Sequence, residues 1–193
     1  MMPRTHGKPG RLRAVDRRMA ALHEAAHIVV ARQCGITGAF AFLQPAVLEE
    51  EETLFDNKAW IGRTAMPLTE LTAAGEAASA AIGVAGVVAE MAWKEDHSGL
   101  EDFYLEEEIA RTPADPHSMS PTDWIMTGCE PGEPSDELIF QALRMHRTFE
   151  DPDGEGWRIV WAEANAMIDH WRVVWRMSRR DGQRLPPALT ASP

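Results

Sequence analysis

The order of apolar and polar positions divides the chain into several helical stretches and one pair of short extended runs. From about Arg17 to Gln33, residues Ala20, Ala21, Leu22, Ala25, Ala26, Ile28, Val29, Val30 and Ala31 leave almost no polar face. Such a helix is expected to be buried rather than laid on a surface. Asp16 reads as its N-cap and Gly35 as its C-terminal stop. Two short apolar runs follow, Gly38–Pro45 and Ala59–Pro67, with an acidic loop, Glu49–Glu52, between them. They predict two paired strands, kept short by their Gly and Pro residues. Leu71–Trp93 reads as a second helix, whose Ala and Gly residues would let a neighbour approach closely. Residues 94–119 are charged and carry Pro113 and Pro116, which predicts a long loop or insertion.

Further along, Ser120–Pro121 opens a third helix, and Cys129–Pro134 breaks it. A fourth helix is predicted over Ser135–Phe149, ending in the turn Asp151–Gly156. The last helix, Trp157–Arg179, places Trp157, Trp161, Ala164, Ile168, Trp171 and Trp175 three or four residues apart. That spacing describes a packing stripe.

At 193 residues and 45% apolar content, the chain has the size and composition for one domain with a real core. The division expected is a disordered basic arm over 1–15, a folded domain over 16–180 and a flexible tail over 181–193. A net charge of −11 argues against nucleic acid as a partner, because no basic face is available. The charge is uneven: +5 over residues 1–20, −19 over 21–157 and +3 over 158–193. An acidic middle of this kind attracts cations or basic substrates, or serves only solubility. Two cysteines, Cys34 and Cys129, supply neither a disulfide framework nor a Cys-rich zinc site. The longest apolar candidate, Ala77–Trp93, is interrupted by Gly83, Gly86 and Glu90, so no membrane span of ~18 apolar residues is expected. The basic N-terminus is followed by no apolar segment of secretory type. These features predict a soluble protein of a reducing, cytoplasmic compartment.

The chemistry-bearing pattern is His23-Glu24-Ala25-Ala26-His27, an H-E-x-x-H motif. On a helix, positions i and i+4 share a face, so both imidazoles can grip one ion. Glu24 lies about 100° round the helix from His23, where it can exchange a proton with water on that ion. The motif also sits amid apolar residues on a helix expected to be buried. Three buried polar side chains there are costly without partners or a metal. A hydrogen-bonded core histidine pair is the bland alternative. A catalytic zinc needs a third protein ligand and an open position. His27 is followed by Ile28, Val29 and Val30, so the third ligand must come from elsewhere. Spacing alone leaves Glu90, Asp123 and Asp136 unranked. Glu90 is a carboxylate in an apolar helix. Asp123 and Asp136 each sit at a helix start, where a capping role explains them equally well. Asp96, His97 and Asp102 are weaker candidates.

The segment Leu22-His23-Glu24-Ala25-Ala26-His27-Ile28-Val29-Val30-Ala31 resembles the zinc helix of the FtsH-type (M41) peptidases, with Ala26 where that family usually has glycine. The likeness continues in order through Trp60-Ile61-Gly62-Arg63-Thr64-Ala65-Met66-Pro67, Ala85-Gly86 with Ala89-Glu90, and Ser120-Pro121-Thr122-Asp123-Trp124. It spans about residues 16–178. The resemblance implies a mainly α, zincin-like peptidase domain with a small β element. It implies Zn2+ held by His23, His27 and Asp123, Glu24 as catalytic base, and Glu90 as a support beside the site. The stretch between Glu90 and Asp123 is longer than in the family. If the insertion instead lies later, Asp136 inherits the ligand role.

There is no phosphate-binding G-x-x-x-x-G-K-[ST] loop, so the ATP-driven unfolding module of the family is not expected, nor is its membrane anchor. The expected activity is ATP-independent metalloendopeptidase cleavage of peptides or unfolded proteins. The expected partners are that substrate and either a homo-oligomer, since the family forms rings of six, or a separate unfoldase. The competing expectation is a non-catalytic, metal-stabilised binding or regulatory module. A helical protein with no metal is the third.

Overall fold

The computed structural model describes residues 14–45, 60–98, 102–149, 151 and 153–180. The acidic loop 49–52, the tail 181–193 and nearly all of the basic arm lie outside them. In chain order the elements are α1 (Ala14–Gln33), β1 (Phe40–Pro45), β2 (Trp60–Ala65), α2 (Leu68–Ala74), α3 (Glu76–Ser98), α4 (Asp102–Arg111), a 3-10 turn (Thr112–Ala114), α5 (Pro121–Thr127), α6 (Asp136–Thr148) and α7 (Glu155–Arg180). The fold is mainly helical with a small β element, as the sequence pattern predicts.

α1 and α3 form the centre. α1 packs against α3, α7 and both strands, while α3 also receives α5 and α6. The continuous apolar surface of α1 explains this position. Ala21, Leu22, Ala25, Ala26, Ile28 and Ala31 are all fully buried. Burying a side chain such as Leu22 or Ile28 contributes about 1.5–3 kcal/mol. α1 stops where Gly35 takes φ +85°, a left-handed turn that glycine adopts without steric cost. Its start differs from expectation. The helix already includes Ala14 and Val15, so Asp16 lies inside it instead of capping it.

β1 and β2 pair antiparallel, with Ala41 opposite Thr64 and Leu43 opposite Gly62. Alternation sends Leu43, Trp60, Gly62 and Thr64 toward α1, while Phe40, Phe42 and Arg63 face outward and are exposed.

Two predicted elements need correction. The helix expected over Leu71–Trp93 is two helices, α2 and α3, separated at Gly75 with φ +87°. The loop expected over 94–119 is largely structured: α3 runs on to Ser98, and α4 and the 3-10 turn follow. Ile109 of α4 is fully buried and Pro113 is buried beneath the turn, so one apolar anchor in each outweighs the charged surroundings. The expectation about apolar length also changes. The window Glu76–Trp93 within α3 is long and apolar enough to cross a membrane by length and composition, and 56% of it is buried inside the protein. Its apolarity faces inward, where Ile82, Val84, Ala85, Val88 and Ala89 meet the core.

From Trp157 to Trp171 the tryptophan stripe of α7 is a packing face, and the Trp175 side chain lies outside the described ones. Trp93 of α3 meets Trp157 and Trp161 edge-on, and Trp171 meets Trp60 of β2 with ring centroids 4.5 Å apart. The guanidinium of Arg17 lies over both Trp60 and Trp171, at 5.4 and 5.5 Å. This cluster ties α1, β2 and α7 together.

Candidate metal centre

His23 and His27 project from one face of α1, as their i, i+4 spacing requires. Asp123 comes from the first turn of α5. There Ser120 Oγ accepts from the Asp123 amide, and Asp123 Oδ2 accepts from the Ser120 amide at 3.1 Å, a reciprocal capping box. The sequence presents capping and metal ligation as competing explanations of Asp123. The structure shows that one carboxylate is placed for both. Its Oδ2 lies 3.4 Å from His23 Nε2 and its Oδ1 lies 3.3 Å from His27 Nε2. His23, His27 and Asp123 each offer one ligand atom within 4.8 Å of the others, a group that could hold a metal ion.

Protons decide how these atoms meet. His27 Nδ1 donates to the Ile82 carbonyl at 2.6 Å; a carbonyl only accepts, so the proton is fixed on Nδ1. His27 Nε2 then presents a lone pair to a carboxylate oxygen, and it is a fully buried atom without a hydrogen-bond partner. His23 repeats the arrangement, with Nδ1 donating to Glu90 Oε1 at 2.9 Å and Nε2 turned to Asp123. With both Nε2 atoms deprotonated, lone pairs from two imidazoles and a carboxylate converge. Acceptors in such a group are compatible only with a cation between them, either a proton or a metal.

The electrostatics agree. Burial acts to lower the His23 pKa, but hydrogen bonds and charge from Asp123 and Glu90 outweigh it and hold the value well above the ordinary imidazole range. Burial likewise acts to raise the Asp123 pKa, and the two histidines reverse this, keeping the carboxyl ionised far below its usual range. The donor chemistry, the orphaned His27 nitrogen and the ionised carboxylate all fit a divalent metal.

Two glycines of α3 make the space. A Cβ on Gly86 would stand 2.5 Å from His23 Nε2. A Cβ on Gly83 would stand 2.4 Å from Thr127 Cγ2 and 2.9 Å from the Asp123 carbonyl oxygen, so Gly83 admits α5. The small-residue character read from the sequence thus serves two approaches, one by an imidazole ring and one by a helix.

Glu24 is 8% exposed and turns toward the sheet, where Thr64 Oγ1 donates to its Oε2 at 2.5 Å. Glu90 lies within α3 rather than at a helix end, and it contacts His23 from the side away from Asp123. Asp136 stands apart from the cluster, exposed at the first position of α6 behind the Ser135 cap. Asp96 and His97 fall near the end of α3, and Asp102 opens α4. Thr64 and the carbonyl of Ile82 are participants that spacing arguments miss. The alternation Trp60, Gly62, Thr64 on the face of β2 turned to α1 is the signal that could have found Thr64. In comparisons with known proteins, the chain matches no family model and no curated protein.

Proposed function

We propose that the protein is a zinc-dependent metalloendopeptidase acting on peptides or unfolded chains, of the FtsH-type peptidase kind that its H-E-x-x-H segment resembles. One observation carries the reading: three metal-competent acceptor atoms converge at Asp123, and the residue beside His23 is a nearly buried glutamate. His23 Nε2, His27 Nε2 and the Asp123 carboxylate would hold the ion, and two imidazoles with one carboxylate suit zinc. When bound, zinc supplies a Lewis acid that lowers the pKa of water and polarises a substrate carbonyl. Glu90 and the Ile82 carbonyl hold the two imidazoles in the tautomer that leaves Nε2 free for the metal. Glu24 takes the proton from the attacking water and passes it to the departing amine. Among the described residues the sheet has two strands, so the outer edge of β2 has backbone groups free to pair with an extended peptide.

The test is the Glu24→Gln variant of the full chain, loaded with zinc and assayed on dye-labelled unfolded casein. One zinc per chain should be retained, with cleavage down about 10²–10⁴-fold. Undiminished cleavage by the variant overturns the reading, as does a wild-type chain that takes up no zinc.

A further inference from the structure

We propose that Thr64 is a positioning residue for Glu24: its hydroxyl fixes one carboxylate oxygen so that the other is presented for proton transfer. The inference rests on the peptidase reading above and adds to it a second element, β2, that supports the base.

The geometry begins with the strand. Trp60, Gly62 and Thr64 occupy alternate positions on the β2 face turned to α1. Trp60, at 2% exposure, is held edge-on by Trp171 and covered by Arg17, which anchors one end of the strand to α1 and α7. Two residues on, Gly62 lies directly over the glutamate. A Cβ there would fall 2.2 Å from Glu24 Cγ and 2.6 Å from Oε1. Two residues further, the Thr64 hydroxyl reaches Glu24 Oε2 at 2.5 Å. The inward face of β2 therefore reads as anchor, clearance and clamp.

The chemistry favours the arrangement. A glutamate side chain has three rotatable torsions, and freezing it costs rotamer entropy that a fixed partner must offset. A charge-assisted O–H···O⁻ bond is among the stronger hydrogen bonds available to hold it. Because the donor is a hydroxyl, it satisfies Oε2 without adding a positive charge that would weaken the base. Threonine suits the position further, since its branched Cβ restricts χ1 on a strand and aims the hydroxyl.

The experiment compares Thr64→Val, which keeps the shape and removes the donor, with Thr64→Ser, which keeps the donor. Each full-length chain is loaded with zinc, checked for metal content and assayed on dye-labelled unfolded casein. The Val variant should bind zinc as the wild type does, keep its KM and lose about 10–100-fold in kcat. The Ser variant should recover most of that loss. A second readout does not depend on turnover: the carboxyl carbon of Glu24 in 13C-glutamate-labelled metal-free protein, assigned by its disappearance in Glu24→Gln. Its signal should shift and broaden in Thr64→Val and stay in place in Thr64→Ser. An unmoved signal or an unchanged kcat in Thr64→Val overturns the proposal. So does a Ser variant as impaired as the Val variant. A wild-type chain that binds zinc yet cleaves nothing overturns the peptidase reading and the catalytic consequence drawn here, while the Glu24 signal still decides whether Thr64 holds the side chain.

Discussion

Two helix starts in this protein are written in nearly the same residues and do different things. α5 opens with Ser120-Pro121-Thr122-Asp123 and α6 with Pro134-Ser135-Asp136. Both serines cap, each accepting from the amide three residues on. Both aspartates sit in a first turn, where the helix dipole favours negative charge. Yet Asp123 is 4% exposed and faces two imidazoles, whereas Asp136 is exposed to solvent. The difference comes from α3. Gly83 removes the side chain that would hold α5 away, so the first turn of α5 sinks toward α1. A capping aspartate becomes a candidate ligand when a neighbouring helix leaves room for it, and local sequence alone does not report that.

Removing each carboxylate is the strongest way to test the contrast. Asp123→Ala should lower zinc affinity by more than the 10–100-fold that loss of an outer partner costs, and should destabilise the metal-free protein by about 1–3 kcal/mol through unsatisfied buried groups. Asp136→Ala should leave zinc content unchanged and move stability within about 0.5 kcal/mol. Calorimetric zinc titration with thermal unfolding of both variants measures the pair. Equal losses of affinity would erase the distinction between the two helix starts.

A smaller effect separates them by pH. His23 is held above its ordinary pKa by Asp123 and Glu90 against the opposing pull of burial. Its contribution is therefore fully present below ~6.5 and is lost as pH rises through the raised value. Asp123 is held below its ordinary pKa, so its contribution is present above ~3.9 and is lost as pH falls through the lowered value. Above neutral pH the metal-free Tm should fall as His23 loses its proton. With zinc in excess the stabilisation should grow with pH, because ligands must be deprotonated to bind. Tm scans from about pH 5 to 9, with chelator and with zinc, measure these opposite trends. Parallel trends would remove the proton–metal competition.

The smallest effect distinguishes the caps. Ser120→Ala and Ser135→Ala should each cost about 1 kcal/mol of stability, as lost N-caps do. Only Ser120→Ala should also weaken zinc binding, because Asp123 accepts from the Ser120 amide at the turn that the cap shapes. Comparing Tm with zinc affinity for both variants separates the two consequences.

Much of this organisation was legible in the residues. The all-apolar face of α1 predicted its central place, the H-E-x-x-H spacing predicted the shared histidine face, and the serine starts of α5 and α6 were readable as caps. The candidate third ligand is not decided by residue pattern, because its place depends on how closely α5 approaches α3. α4 was hidden by its charge, since Ile109 alone says little until the helix is packed. Thr64 escaped because its partner lies forty residues away on another element. The break at Gly75 escaped because alanines, which favour helix, flank it on both sides.

The two glycines of α3 carry a consequence for protein engineering. Inside a helix, glycine is the residue a stabilisation programme replaces first, since alanine gains ~1 kcal/mol in an ordinary helix interior. At Gly83 and Gly86 the same replacement would set a methyl group against Thr127 and the His23 ring. Any redesign that optimises α3 for helicity would thus close the space into which α5 and an imidazole must fit. In α3 the two weakest helix formers are where the scaffold has least freedom to improve.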